Sequence, residues 1–373
     1  MKQLLVIVLI AMGFAVLAEQ RSKKNYFLNE KGYWRRDAFF CTCMTLILAV
    51  FAGLRTRYND TVTYIRSYEL LEVDKSIFEG MIWSLSASDG FELTTRIMKG
   101  LGASTQTFLM LFSLFNIGVN VWFIRKYAHS LWLSFFLYIT MGCYVFNMAA
   151  IMQCTATAII LIALDRLIEG KKLKFVLLVL LATTFHTYAF MFILTPLLFF
   201  TPWSKKTYWM LGGFLLIGLM LPSLLGVVIS VTSAMGEGYT ADSFMGAGVN
   251  IFRFLVVSVP VVLSFLVRNR IEKEANRTDM FILNLSMLNA EIMFVALFGT
   301  ANYFARLANY FLMFQTITLP WLLRFFPKST RQIMSVCMVL CYFLYFYYES
   351  GINMPFDLLF DKVGLLDYLK SFI

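Results

Sequence analysis

Residues 175–200 read FVLLVLLATTFHTYAFMFILTPLLFF, a run apolar enough for a membrane that carries at its centre His186, one of two histidines in 373 residues. How this run is threaded decides the architecture. Lys171, Lys172 and Lys174 precede or open it, and Lys205 and Lys206 follow it. Positively charged connections are retained on the cytoplasmic side of a membrane. A single crossing would put the second cluster outside, and with it every later basic connection. The run is therefore expected to enter the bilayer and come back as two short helices, 175–185 and 188–200, turning near His186. At about 1.5 Å per residue, neither piece reaches across a hydrocarbon core of about 30 Å. Such half-helices are tolerated where neighbouring protein or a water-filled cavity satisfies the backbone of the turn. Thr183, Thr184 and Thr187 offer hydroxyls for it. His186 would then face an outward-opening cavity and not lipid.

The rest of the chain fits the same frame. It is 60% hydrophobic, has a mean hydropathy of +0.72 and is 14% charged, where a soluble domain carries roughly a quarter charged residues. Apolar runs are expected at 4–17, 38–54, 106–124, 131–146, 151–167, 208–231, 252–267, 280–298, 303–323 and 332–348, besides 175–200. The fold class is all-α: a polytopic integral membrane protein of about 11 to 12 membrane segments, forming a single transmembrane domain over 1–373. Six Lys/Arg lie in 19–37, and further basic connections follow at 125–126, 166–174, 205–206, 268–277 and 324–331. The connections near Asn147, Gly236 and Thr300 have none. The basic set is assigned to the cytoplasm and the bare set to the outside. The net charge of +10 thus belongs to cytoplasmic loops, and no nucleic-acid partner is expected.

Lys2, an apolar core and Val16-Leu17-Ala18 imitate a signal peptide. Cleavage would leave a strongly basic segment to be translocated, so a retained first span is expected. Cys41, Cys43, Cys143, Cys154, Cys337 and Cys341 all fall inside apolar runs without CxxC or Cys/His spacing. They are expected to be small buried hydrophobes; neither a metal site nor a disulfide framework is indicated, and no cofactor. Three outer segments stand out. Within 55–105, the stretch SDGFELTTRIMKGLG (88–102) repeats Leu93, Ile97 and Leu101 at helical spacing, as an interfacial helix does. The loop 232–250 is Gly-rich and acidic, with Glu237, Tyr239 and Asp242, and 349–373 forms an outer tail.

The remaining polar groups converge on the outer ends of the spans. GLRTRYNDTVTY (53–64) sets Arg55, Arg57, Asp60 and Tyr64 just beyond the second run; Gln153 begins the fifth. Arg253 opens the eighth, and NYFARLANYF (302–311) places Arg306 and Tyr310 four apart, on one helix face. Arginine outside a span opposes the orientation rule and asks for another cause. Several guanidinium groups form an anion site, since each gives two-pronged hydrogen bonds and stays charged when desolvated. The competing explanation for each is snorkelling to headgroups. Glu291, mid-span in LNLSMLNAEIMF (283–294), is either functional or a structural tie to an arginine. Tyr64, Tyr68 and Tyr239 are candidates to stack on sugar rings.

GLRTRYNDTVTY (53–64), SDGFEL (88–93), MQCTATAIILIALDRLIEGKKLKFVLLVLLATTFHTYAFMFI (152–193) and RLANYF (306–311) together resemble the EpsG/Wzy-like family of bacterial polysaccharide polymerases. The pieces occur in the family's order over most of 50–315. One position departs: the family commonly has Arg before the glutamine of the fifth span, and here Met152 precedes Gln153. The resemblance implies a fold similar to GT-C-like membrane glycosyltransferases, in the bacterial plasma membrane. It implies extension of a polysaccharide from polyprenyl-pyrophosphate-linked oligosaccharide units at the outer face, with membrane lipid around it and a chain-length regulator as partner. The developing charge on a lipid pyrophosphate asks for preorganised cations, which Arg55, Arg306 and Arg253 or Arg57 would supply. The acceptor hydroxyl asks for a base or an orienting group, for which His186 and Asp60 are candidates; whether His186 moves a proton or holds the phosphate stays open. Two other classes share these residues: a flippase for lipid-linked sugars, and a membrane acyltransferase acting on surface polysaccharide.

Overall fold

The computed structural model describes residues 2–24, 38–72, 88–234, 248–299, 301–351 and 356–359. The elements run α1 (Lys2–Lys24), α2 (Ala38–Gly53), β1 (Arg55–Arg57), α3 (Thr61–Glu69), α4 (Asp89–Gly100), α5 (Thr105–Tyr127), α6 (Leu131–Thr140), α7 (Cys143–Ala149), α8 (Ile151–Ile168) and α9 (Lys172–Thr183). A 3-10 helix, Thr187–Leu198, follows. Then come α10 (Lys205–Leu219), α11 (Leu221–Ala234), α12 (Ile251–Leu266), α13 (Arg268–Glu274), α14 (Arg277–Val295), α15 (Arg306–Leu323), α16 (Lys328–Phe346) and β2 (Asp357–Leu358). The protein is an all-α, polytopic membrane protein. Among the described residues its departure from pure helix is one antiparallel pair, with Arg55 opposite Leu358 and Arg57 opposite Asp357.

Five described helices are long and apolar enough to cross a membrane, or eight when each bent pair counts as one span. That is fewer than the sequence suggests, for three reasons. The 16 residues of α2 rise about 24 Å, short of the core. The α15 helix is sealed by neighbours and keeps Gln315, Thr316 and Thr318 buried, so its composition is that of a protein interior. The run 208–231 is not straight: α10 and α11 meet at 96°, where Pro222 lacks the N–H that would continue the ladder of α10. A gentler 45° bend joins α6 to α7 at Gly142, whose φ of +92° is a conformation that costs glycine little.

The basic connections gather at one end of the bundle. Ser130 and the Trp132 N–H donate to Glu19, at 3.1 and 3.0 Å, which ties α1 to α6. Asp165 takes Lys126, the Tyr127 hydroxyl at 2.6 Å and Arg166 at 3.3 Å. Glu169 takes Arg166 at 2.8 Å and Lys171 at 2.7 Å. The hydrogen bond from Lys171 holds the Glu169 carboxyl at about 2, against its own desolvation. His129 meets Asp279 at 3.0 Å and Arg324 at 3.5 Å, and Arg270 bonds the Phe325 carbonyl at 2.5 Å. The opposite end collects Asp60, Met148, Gln153, Arg306 and Glu349 through the contacts described below.

The segment 172–198 has both flanks at the basic end. Lys171 pairs with Glu169, while Asn284 donates to the carbonyls of Leu198 and Phe200 at 2.8 Å each. Phe199 stacks on Phe281 at 4.0 Å, and Arg277 lies over the Phe199 ring. The middle of the segment reaches the far end, where the Gly90 N–H of α4 donates to the Thr184 carbonyl at 2.8 Å. The chain therefore goes in and comes back, broken at 184–186, as the charge pattern demands. Thr183 and Thr184 turn their hydroxyls onto the Val179 and Leu181 carbonyls, which favours ending the helix there. The returning limb is 3-10, longer than such helices usually run. A Cβ on Gly90 would collide with the Thr184 hydroxyl, so α4 lies on the turn at backbone distance.

The α4 helix occupies the stretch read as interfacial; Ile97 and Leu101 are exposed on it, while Phe91 and Met98 pack against Phe108 and Phe112. Cys41, Cys143 and Cys154 are buried, but Cys337 and Cys341 are exposed on α16, a face apolar residues cover because lipid, not protein, meets it. Tyr239, Glu237 and Asp242, most of 232–250 and most of the tail 349–373 lie outside the described residues.

Candidate functional site

At the tip of the re-entrant segment His186 caps the 3-10 helix in an extended conformation and accepts no cap role with its side chain. The break turns the imidazole toward α15, where Nδ1 lies 2.8 Å from the Tyr310 hydroxyl. The turn's own N–H groups are satisfied without it, His186 N–H by the Ala182 carbonyl at 3.1 Å and Ala189 N–H by the His186 carbonyl at 2.9 Å. The ring is walled by Tyr188 and Tyr310, with centroids 5.5 and 5.7 Å away. Tyr303 stands perpendicular to Tyr188 at 5.4 Å. With the Tyr310 hydroxyl donating, Nε2 carries a proton that a phosphate oxygen can accept; with Nδ1–H donating, Nε2 is an acceptor for a hydroxyl.

Arg306, one helical turn before Tyr310, projects from the start of α15. It meets Asp60 at 3.7 Å, and the two side chains are 57% and 39% exposed. A long, half-exposed pair of this kind is held weakly, so the guanidinium remains open to a stronger anion. Asp60 is placed by the chain just before α3. Asn59 takes a φ of 42°, a left-handed turn that asparagine tolerates, and α3 starts immediately after it. Gln153 is buried on α8 and donates to the Arg306 carbonyl at 2.6 Å; it positions the arginine's backbone and not a ligand. Burial pushes the Tyr64 phenol up to about 12. Tyr64 also meets Phe91 edge-on at 6.0 Å, and Tyr68 stacks on Phe108 at 4.7 Å. Their faces are packed on protein rather than offered to a sugar.

Three other residues stand differently from the sequence expectation. Arg55 is 1% exposed. Its guanidinium donates to Thr61 Oγ1 at 3.0 Å, to Ser113 Oγ at 3.2 Å and to the Ala52 carbonyl. Burial lowers its pKa to about 10, which leaves it cationic at neutral pH. Thr61 in turn donates to the Met148 carbonyl at 3.2 Å. Arg55 thus pins the start of α3, and with it Asp60, onto α5 and α7; it is a positioning residue beneath the site. Arg55→Ala strands the Ala52 carbonyl and opens a cavity. It is expected to lower stability by about 2–4 kcal/mol, read as a drop in the thermal midpoint of the purified protein. Arg57 points the other way, toward Asp357 at 3.9 Å, and is exposed. Glu291 is buried on α14 among Leu211, Phe214, Phe254 and Val262, with both carboxyl oxygens lacking hydrogen bonds. It meets none of the arginines, because its helix face is turned to α10 and α12.

Arg253, at the start of α12, pairs with Glu349. The pair lines a cavity of about 250 Å3 with Tyr58, Asn59, Asn309 and Tyr345. Asn59 and Ala305 in that lining directly adjoin Asp60 and Arg306 in the chain. Asn59, Asn309, Tyr345 and Glu349 were not anticipated from sequence. Asn309 had a legible signal, three residues after Arg306 on one helix face; Glu349 had none, since its relation to Arg253 is made across 96 positions.

The site therefore assembles an imidazole, a phenol, a half-exposed guanidinium and a carboxylate from sequence-distant elements. No curated protein and no solved structure matches the chain. A family description does: residues 38–357 match that of the EpsG family, which covers the whole site from Arg55 to Glu349, and the chain belongs to the EpsG family.

Proposed function

We propose that this membrane protein joins polyprenyl-pyrophosphate-linked oligosaccharide units into a polysaccharide at the outer face of a bacterial plasma membrane. Membership of the EpsG family supports a polysaccharide polymerase role. The observation that carries the chemistry is the His186–Tyr310 hydrogen bond at the tip of the re-entrant segment, one helical turn from Arg306, which pairs weakly with Asp60. In the reaction an acceptor hydroxyl oxygen bonds to the anomeric carbon of a lipid-linked sugar. The bond from that carbon to the pyrophosphate oxygen breaks, and the hydroxyl proton leaves. Arg306 offers its fork to the departing pyrophosphate, whose charge grows as the bond breaks. His186, its ring fixed by Tyr310, holds a phosphate oxygen through Nε2–H. Asp60, released from Arg306 by the stronger anion, takes the proton of the sugar hydroxyl.

A lipid-linked substrate also needs a sideways entry. An apolar groove of about 570 Å3 runs between α4, α5, α8 and α9, lined by Met98, Leu111, Phe115, Ile159, Leu178 and Phe185. Phe185, which precedes His186 in the chain, is part of its lining, which suits an isoprenoid tail whose head lies at the site. The test is reconstitution. Purified protein given a defined lipid-linked repeat unit should produce a ladder of lengthening chains. Movement of that lipid across vesicles with no new glycosidic bond would replace this function with that of a flippase.

A further inference from the structure

The cavity that Asn59 and Asn309 line is not used by the chemistry above, and its lining points to a ligand class. Arg253 is neutralised by Glu349, so a free anion gains little there. The other polar groups are two amides, Asn59 and Asn309, and two phenols, Tyr58 and Tyr345. Neither amide hydrogen-bonds another described residue. An amide donates and accepts at once, which matches hydroxyls that do both. Tyrosine adds an apolar face with a polar tip. Gly142, at the bend between α6 and α7, opens the floor of the cavity. At about 250 Å3 it lies below the roughly 300–1,000 Å3 of a drug-sized site, room for a ring and not for a chain.

We propose that this cavity is a sugar subsite, holding one neutral, polyhydroxylated ring of the saccharide through Asn59 and Asn309, next to the pyrophosphate at Arg306. The proposal rests on the polymerase reading, and its placement follows from continuity: Asn59 and Asn309 flank Asp60 and Arg306 on the same two elements. A ring in the cavity is thereby set within reach of the groups that act on its anomeric bond or its hydroxyl. Arg253 and Glu349 then serve as a charge-neutral wall that accepts and donates hydrogen bonds without drawing in phosphate.

The test uses two probes on the full-length protein in nanodiscs. One is the phosphate-free oligosaccharide released by mild acid from the source cell's own surface polysaccharide; the other is inorganic pyrophosphate. Asn309→Ala and Asn59→Gly, glycine keeping the positive φ of that turn, should each weaken oligosaccharide binding about tenfold, the effect of one lost hydrogen bond in a desolvated pocket, and leave pyrophosphate binding within twofold. Arg306→Ala should do the reverse. Asn309→Gln, with the same thermal midpoint as wild type, guards against a misfolded alanine variant and should fall between the two. Oligosaccharide affinity unchanged in both Asn309→Ala and Asn59→Gly, or no oligosaccharide binding by wild type, overturns the subsite. Neither result touches the polymerase reading, which stands or falls on the ladder formed by wild type.

Discussion

Arg306→Ala is expected to reduce chain extension by about 10²–10³-fold, measured as ladder formation by protein that inserts at wild-type abundance and elutes as wild type does. The magnitude is that of removing one preorganised donor aimed at charge that grows in the transition state. The side chain begins α15 and is half exposed, so its loss opens no cavity in the core and leaves no buried partner stranded. Gln153 holds the Arg306 backbone and does so equally in the alanine variant, which keeps the local frame. Arg306→Lys should recover less than about tenfold of the loss, because an ammonium carries the charge without the planar fork. Activity of the alanine variant within threefold of wild type would remove Arg306 from the mechanism. A substantial recovery by lysine would mean that charge alone matters there.

His186→Ala is expected to lower chain extension by about a hundredfold. The two roles open to the ring diverge on a second variant. A phosphate-holding imidazole works through Nε2–H, a donor that a glutamine amide can imitate; His186→Gln should then return to within about tenfold of wild type, with the pH profile keeping its shape. A proton-transferring imidazole has no such substitute. Glutamine would be as inactive as alanine, and the limb of the profile belonging to the ring would vanish. The first pattern is expected, since the His186 ring is locked by Tyr310 and Asp60 stands free to serve the hydroxyl once phosphate takes Arg306. Tyr310→Phe should cost about tenfold by freeing the ring to rotate. Equal activity of His186→Ala and wild type would return His186 to a purely local role at the turn.

Much of this architecture was legible one residue at a time. Apolar length and the side on which Lys and Arg collect are local quantities, and a bilayer reads them along the chain. They were enough to mark the apolar runs and to require that 175–200 return to the side it entered from. They were enough, too, to single out His186, Arg306, Tyr310 and Asp60, since each sits where an apolar segment has no other use for it. The contacts among those four join residues up to 246 positions apart, yet all belong to the bare end that charge patterning defined.

Side-chain direction was not legible, and the misplaced residues share that cause. Arg55 and Arg57 are two apart in one short strand and would share a face if it were regular; the β1–β2 register is irregular between them, and one is buried beneath α3 while the other meets Asp357. Glu291 looks away from the arginines because of how α14 is rotated against α10 and α12. The 96° turn after α10 and the neutralising partner of Arg253 arise only when distant segments pack. The amino-acid sequence by itself determined that this chain lives in a membrane, which end carries charge and where one segment must fold back, because solvent and lipid act on every residue independently. Which guanidinium stands open, which is spent as a tie and which polar groups enclose a cavity was decided by the tertiary structure alone, because a hydrogen bond exists only between groups that packing has already brought together.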